Sequence, residues 1–149
     1  HLQPDVHGNL LEHQSALAGR FDAAICTEVL EHLPYEQFAT GIAHLASYLK
    51  PGGRLFLSLP HRKGHMLVVT PKQRLWKWRF PFGMVSLSEA YNRFVRRRIW
   101  IDPNHCWEIG DGTVTRAMVE AVLAAQGLAI ERLTPLPYCD YWILRKPIA

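Results

Sequence analysis

Glu28, Glu31 and His32 stand at positions i, i+3 and i+4. If a helical turn begins at Glu28, that spacing puts all three side chains on one face. Two carboxylates and an imidazole suit a hard or borderline divalent ion, Mg²⁺, Mn²⁺ or Zn²⁺. The same groups have a plainer use, as caps or braces of the loop that carries them. His61, directly after Pro60 at the end of an apolar run, is a second candidate for ligand or base. A lone histidine in that place also serves as a structural residue.

These groups need elements to position them. Phe21 to Thr27 is a short apolar run of a length that suits a buried strand. Pro34 opens a helix over 35–50, where its missing N–H costs nothing. Phe38, Ile42, Leu45, Ala46 and Leu49 recur at three- and four-residue spacing and form its apolar stripe. Lys50-Pro51-Gly52-Gly53 stops the helix and turns the chain. A second strand follows over 54–59. Strand, helix and strand in that order predict a parallel pair with a right-handed crossover. A helix is also expected from Ser88 to Arg97, capped by Ser88, and a stronger one from Thr113 to Gln126, closed by Gly127. The last two strands, near 128–133 and 141–146, are joined by a linker too short for a crossover helix, so they pair antiparallel.

Composition bounds the rest. The chain has 149 residues, 48% hydrophobic and 20% charged, which is ordinary globular make-up and one domain's worth. No apolar run approaches the ~20 residues of a membrane helix, and no basic-then-apolar leader is visible. Three cysteines without close pairing indicate neither a disulfide framework nor a structural zinc site, and a reducing, cytoplasmic setting fits. The chain starts at His1 rather than methionine, as a processed product or a fragment would. Charge is uneven. Between Arg62 and Arg98 ten basic residues face Glu89 alone, a net of +9 against the chain's +4, so the remainder is −5. Interleaved aromatics, Trp76 and Trp78 among them, make residues 62–98 either a surface for an anionic partner such as RNA or a solvated insertion anchored by its rings.

FDAAICTEVLEHLP, then a helix, then LKPGGRLFLSLPH, resembles the second half of a class I S-adenosylmethionine-dependent methyltransferase. The resemblance implies an α/β fold: a partial Rossmann-like sheet, mostly parallel, with a terminal antiparallel hairpin made by a reversed last strand. It spans residues 4–147, so the whole chain, 1–149, reads as a single partial domain with a basic aromatic insertion at about 61–104. The family holds its cofactor with a glycine-rich loop after its first strand and an acid ending its second. Neither occurs here, and only twenty residues precede Phe21, too few for the ~30 of a βαβ unit.

By the same resemblance Asn9, Leu10, Glu28 and Val29 line the S-adenosylmethionine site, with Asn9 where the family often places an acid that meets the adenine amine. A subset of the family, including small-RNA 2′-O-methyltransferases and ubiquinone-biosynthesis O-methyltransferases, binds a divalent ion through E-x-x-E-H. The small-RNA enzymes add a ligand from a later H-x-x-E-W-like segment. The counterpart here is His105-Cys106-Trp107-Glu108, with Trp and Glu reversed. The implied ligands are Glu28, Glu31, His32 and His105, with Mg²⁺ or Mn²⁺ the expected ion, and the catalytic candidates are His32, His105 and His61. Such an ion lowers a hydroxyl's pKa for attack on the cofactor's methyl. The segment from His105 to Gly110 also resembles one in methyltransferases acting on sugars or lipid-linked small molecules. There Trp107 and His105 lie over the substrate; the other use of Trp107 is to fill the core.

The expected activity is methyl transfer to a hydroxyl of a small, sugar-like molecule or of an RNA end, in the full-length parent, with this chain alone inactive. The alternative is a non-catalytic module that binds an anionic partner or RNA through residues 62–98. With no lysine or proline in FDAAICT, and the family's neighbouring strand missing, the first strand is expected to present an open edge that favours a homodimer.

Overall fold

The structure, a computed structural model, describes residues 3–62, 65–69, 75–79, 91, 94–96 and 101–148. Its elements in chain order are β1 (Phe21–Thr27), α1 (Tyr35–Tyr48), β2 (Leu49–Pro60), β3 (His65–Val69), β4 (Leu75–Arg79), α2 (Arg116–Ala125), β5 (Ala129–Pro135) and β6 (Cys139–Arg145). The helix expected over Ser88 to Arg97 lies largely outside the described residues.

A four-stranded sheet in the order β1-β2-β6-β5 carries the fold. β1 and β2 run parallel, with Ala24 opposite Leu55 and Cys26 opposite Leu57. α1 crosses between them because Phe38, Ile42 and Ala46, spaced four apart, are all buried against the sheet. β6 lies antiparallel on β2, and β5 antiparallel on β6. The terminal hairpin thus forms as expected, but the sheet is not mostly parallel. The reversed last strand sits between β2 and β5, so it contributes two antiparallel ladders against one parallel ladder.

The expected turn at Lys50-Pro51-Gly52-Gly53 is instead the start of β2. Leu49 already pairs with Phe21, and the register slips between Phe21 and Ala23 to absorb the extra residues. Gly52 takes φ +79°, and a side chain on Gly53 would come within 2.9 Å of the Lys50 carbonyl. Only glycine fits both places.

One face of the sheet holds the core. Leu55, Leu57, Leu59, Trp142 and Leu144 pack with Phe38 and Ile42 of α1 and with Val119 and Leu123 of α2. Thr115 caps α2 by accepting the Met118 N–H at 3.2 Å. The opposite face is open by comparison. Its row runs Ile25, Phe56, Ile143 across three strands, and Ile25 is 75% exposed. β1 is the terminal strand, as the sequence predicted for an unpartnered edge.

The segment after β2 is closed at its own base. The Ile109 N–H donates to the Pro60 carbonyl at 3.0 Å, and the Arg62 N–H donates to the Ile109 carbonyl at 2.9 Å. Between these ends β3 and β4 form a separate antiparallel hairpin.

Candidate active site

The chain leaves β1 through a residue in an unusual conformation. Glu28 has φ +52°, the only described non-glycine residue in the left-handed region. Its N–H donates to the Ser58 carbonyl at 3.3 Å, and its Oε1 accepts the Ser58 hydroxyl at 2.6 Å. The expected helical turn therefore starts later, as a 3₁₀ turn over Leu30–His32. Leu30 plugs the core and leaves Glu31 and His32 at the carboxyl end of β1.

A second loop is laced onto this one. The Cys106 N–H donates to the Glu31 carbonyl at 2.7 Å. The Trp107 Nε1–H donates to the Leu33 carbonyl at 3.0 Å, and His32 Nδ1 lies 2.9 Å from the Asn104 carbonyl. Trp107 is buried and stacks edge-on against Tyr35 and Phe38. Of its two expected uses, the core one holds, and its indole anchors the loop rather than lying over a substrate.

The lacing brings Glu31, His32 and His105 together. One donor atom from each lies within 4.8 Å of the others, and the two rings meet edge to face at 5.1 Å. Glu31 is fully buried, and neither of its carboxylate oxygens has a hydrogen-bond partner. His32 Nε2 lies 4.0 Å from Oε1. Burial pushes the Glu31 carboxyl above the usual range; its own backbone N–H, which does not close a hydrogen bond to either oxygen, and the two histidines pull back, while the Glu28 charge adds to the rise. A buried carboxylate with no donor is costly unless something else satisfies it. A Glu, His, His donor set of this kind fits a borderline divalent ion better than an oxygen-seeking one.

Glu28 is not in that cluster, because Ser58 holds its carboxylate. His61 is not there either. Its buried ring lies 3.0 Å, through Nε2, from the Leu136 carbonyl and 3.9 Å from Asp140, a carboxylate gripped at two points by Arg116 at 2.7 Å. Asn9 turns its own loop by accepting the Leu11 N–H at 3.0 Å, Leu10 packs against the core, and Val29 is exposed. Burial holds the Cys26 and Cys139 thiols at about 11, with nearby carboxylates adding to it, so neither is a nucleophile at neutral pH.

Sequence reading missed the groups that hold the cluster from behind. Glu108 Oε1 sits 3.0 Å from His105 Nδ1 and also accepts the Asp102 N–H at 3.0 Å. Asp111 in turn accepts the N–H groups of Glu108, Thr113 and Val114 and the Thr113 hydroxyl. Glu108 falls three residues after His105, a spacing at which a carboxylate can reach back to the ring. Asp111-Gly112-Thr113 is a turn signature.

A protein-family model described as a methyltransferase domain matches residues 2–108. The chain belongs to this methyltransferase family. Its fold is that of the class I S-adenosylmethionine-dependent enzymes. A 1,6-didemethyltoxoflavin-N1-methyltransferase from Burkholderia thailandensis, solved with S-adenosylhomocysteine, superposes on 95% of this chain and 50% of its own, with a TM-score of 0.55 at 17% identity. The magnesium protoporphyrin IX methyltransferase of Synechocystis, also with S-adenosylhomocysteine, superposes on 93% of this chain and 49% of its own, with a TM-score of 0.53 at 18% identity. In sequence, the methyltransferase chain is 39% identical over 96 residues to a ubiquinone biosynthesis O-methyltransferase from Haemophilus ducreyi, covering 63% of this chain and 38% of that protein. It is 53% identical over 45 residues to the protein of the same name from Xanthomonas axonopodis, covering 30% of this chain and 18% of that protein. The methyltransferase chain thus spans well under half the length of the curated relatives it matches. Among the described residues no helix is long and apolar enough to cross a membrane.

Proposed function

We propose that this chain is the acceptor side of an S-adenosylmethionine-dependent O-methyltransferase acting on a small molecule with neighbouring oxygens. Glu31, His32 and His105 would hold a divalent ion, Mn²⁺ or Zn²⁺ rather than Mg²⁺. The observation that carries this reading is the buried Glu31 carboxylate, without a donor, facing two imidazoles at the carboxyl end of β1. Ligands of open α/β sheets gather at that end of the strands. The curated relatives, named as O-methyltransferases, support a hydroxyl as the acceptor class.

When bound, such an ion polarises an acceptor hydroxyl and favours its alkoxide. The chain's own residues do the rest. Glu31 supplies the negative charge that offsets the ion, and the two imidazoles supply neutral nitrogen donors. Trp107 anchors the loop that carries His105, through the Leu33 carbonyl and its edge-on contact with Tyr35. Glu28, exposed and anchored by Ser58, stands beside the cluster where a donor substrate's hydroxyls could bind.

The test uses the intact protein with labelled S-adenosylmethionine and a panel of catechol- and diol-bearing acceptors. Methyl transfer that is lost with a chelator, restored by Mn²⁺ or Zn²⁺, and abolished in His105→Ala with cofactor binding intact is the expected outcome. Turnover indifferent to both chelator and His105→Ala would overturn the reading.

A further inference from the structure

The imidazoles of the cluster are not free to choose which nitrogen carries the proton. A neutral histidine donates from one ring nitrogen and accepts at the other. The partner of His32 Nδ1 is the Asn104 carbonyl at 2.9 Å, which can only accept. The partner of His105 Nδ1 is Glu108 Oε1 at 3.0 Å, an oxygen that is already accepting the Asp102 N–H. Both contacts require the proton on Nδ1. Both therefore leave the lone pair on Nε2, and His32 Nε2 is the nitrogen 4.0 Å from Glu31.

Glu108 is itself held in place. It is buried, its N–H donates to Asp111 at 3.1 Å, and its Oε2 lies 3.6 Å from Arg62 Nη1. Its position is thus fixed by the turn at 108–114 and by the base of the preceding segment, independently of anything bound at the cluster.

We infer that Glu108 is a positioning residue: with the Asn104 carbonyl it locks His105 and His32 as Nδ1–H tautomers, so that each ring keeps its Nε2 lone pair, that of His32 4.0 Å from Glu31, before any ligand arrives. A side chain and a backbone carbonyl do the same task for two rings 73 positions apart in sequence. Partners of this kind, behind a metal-binding histidine, typically change metal affinity 10–100-fold when removed. The use of the lock rests on the ion-binding reading above, but the lock does not.

Ring ¹⁵N NMR on the intact, metal-free protein at pH 8 reads the tautomers directly. Both His32 and His105 are expected as Nδ1–H. In Glu108→Ala, His105 should become a mixture or Nε2–H while His32, held by backbone, stays Nδ1–H. If Glu108→Ala loosens both rings, Glu108→Gln decides, since its amide oxygen can still accept: His105 kept Nδ1–H supports the inference and Nε2–H overturns it. A wild-type His105 found as Nε2–H, or one unmoved in Glu108→Ala with His32 also unmoved, overturns it too. Co²⁺ titration followed by its visible spectrum is the second readout, with affinity expected to fall tenfold or more in Glu108→Ala. Tautomers as expected, with no Co²⁺ bound by any form, would sink the ion-binding reading and leave the lock standing.

Discussion

Replacing Glu31 by Gln should stabilise the metal-free protein and remove its response to metal. Glu31 is fully buried, and both its oxygens lack a donor. A buried polar group left unpaired costs ~1–3 kcal/mol, and more when charged. Gln keeps the shape and discards the charge but leaves an amide in the same unpaired place, so the net gain at pH 8 should be about 1–2 kcal/mol. At roughly 2–4 °C per kcal/mol for a chain of this size, the melting temperature should rise by about 2–8 °C. The gain should depend on pH with a definite sign. Burial raises the folded-state pKa of Glu31. The wild type therefore loses stability as pH climbs from the unfolded value, ~4.3, through the raised folded value, and then levels off. Glu31→Gln lacks that loss, so the two proteins should converge at low pH. Divalent ion at a hundred times its Kd should add ~2.7 kcal/mol to the wild type and nothing to the variant, reversing their order. Thermal melts across pH, with chelator and then with Mn²⁺ or Zn²⁺, measure all of this. A variant less stable than wild type in chelator at pH 8, or an equal metal shift in both, would refute the reasoning.

Arg116→Met should cost ~3–5 kcal/mol by leaving Asp140 buried and uncompensated, and Asp140→Asn added to it should recover part of the loss in a denaturant titration. Burial alone would raise the Asp111 carboxyl, but the N–H groups of Val114, Thr113 and Glu108 and the Thr113 hydroxyl outweigh it and hold the group below its usual range. Asp111→Asn should therefore cost ~1–3 kcal/mol above about pH 5, a difference that shrinks as pH falls through the depressed folded value. Ile25→Lys should leave stability within ~0.5 kcal/mol, as at other exposed positions. It should also lower concentration-dependent light scattering, by charging the open edge of β1; unchanged scattering would show that the edge does not self-associate.

The β1–α1–β2 unit was legible because its signals are local: a short apolar run, a four-residue apolar spacing and a proline at the helix start. The hairpin of β5 and β6 was legible because its linker leaves room for nothing else. The sheet's balance of directions was not, since it depends on where β6 inserts, and no window of sequence carries that. The cluster was legible in part. The spacing of Glu31 and His32 pointed to it, yet Glu28 left because Ser58, thirty residues away, takes its carboxylate. The partners of the two rings were harder to read. A backbone carbonyl has no sequence signature, and Glu108, though it stands in the quoted segment three residues after His105, shows its hold on the ring only once the loop is folded.

The closure at Pro60, Arg62 and Ile109 makes residues 63–100 an interchangeable cassette. Both its flanks are tied at Glu108, by Arg62 and by the Asp102 N–H, so the sheet, the helices and the Glu31 cluster set no requirement on its length. Lengthening it twofold would cost only ~0.6 kcal/mol in closure entropy. Evolution can therefore trade one such stretch for another while the groups behind His32 and His105 stay fixed. A chimera that swaps residues 63–100 for the matching stretch of a relative should keep the tautomer lock intact.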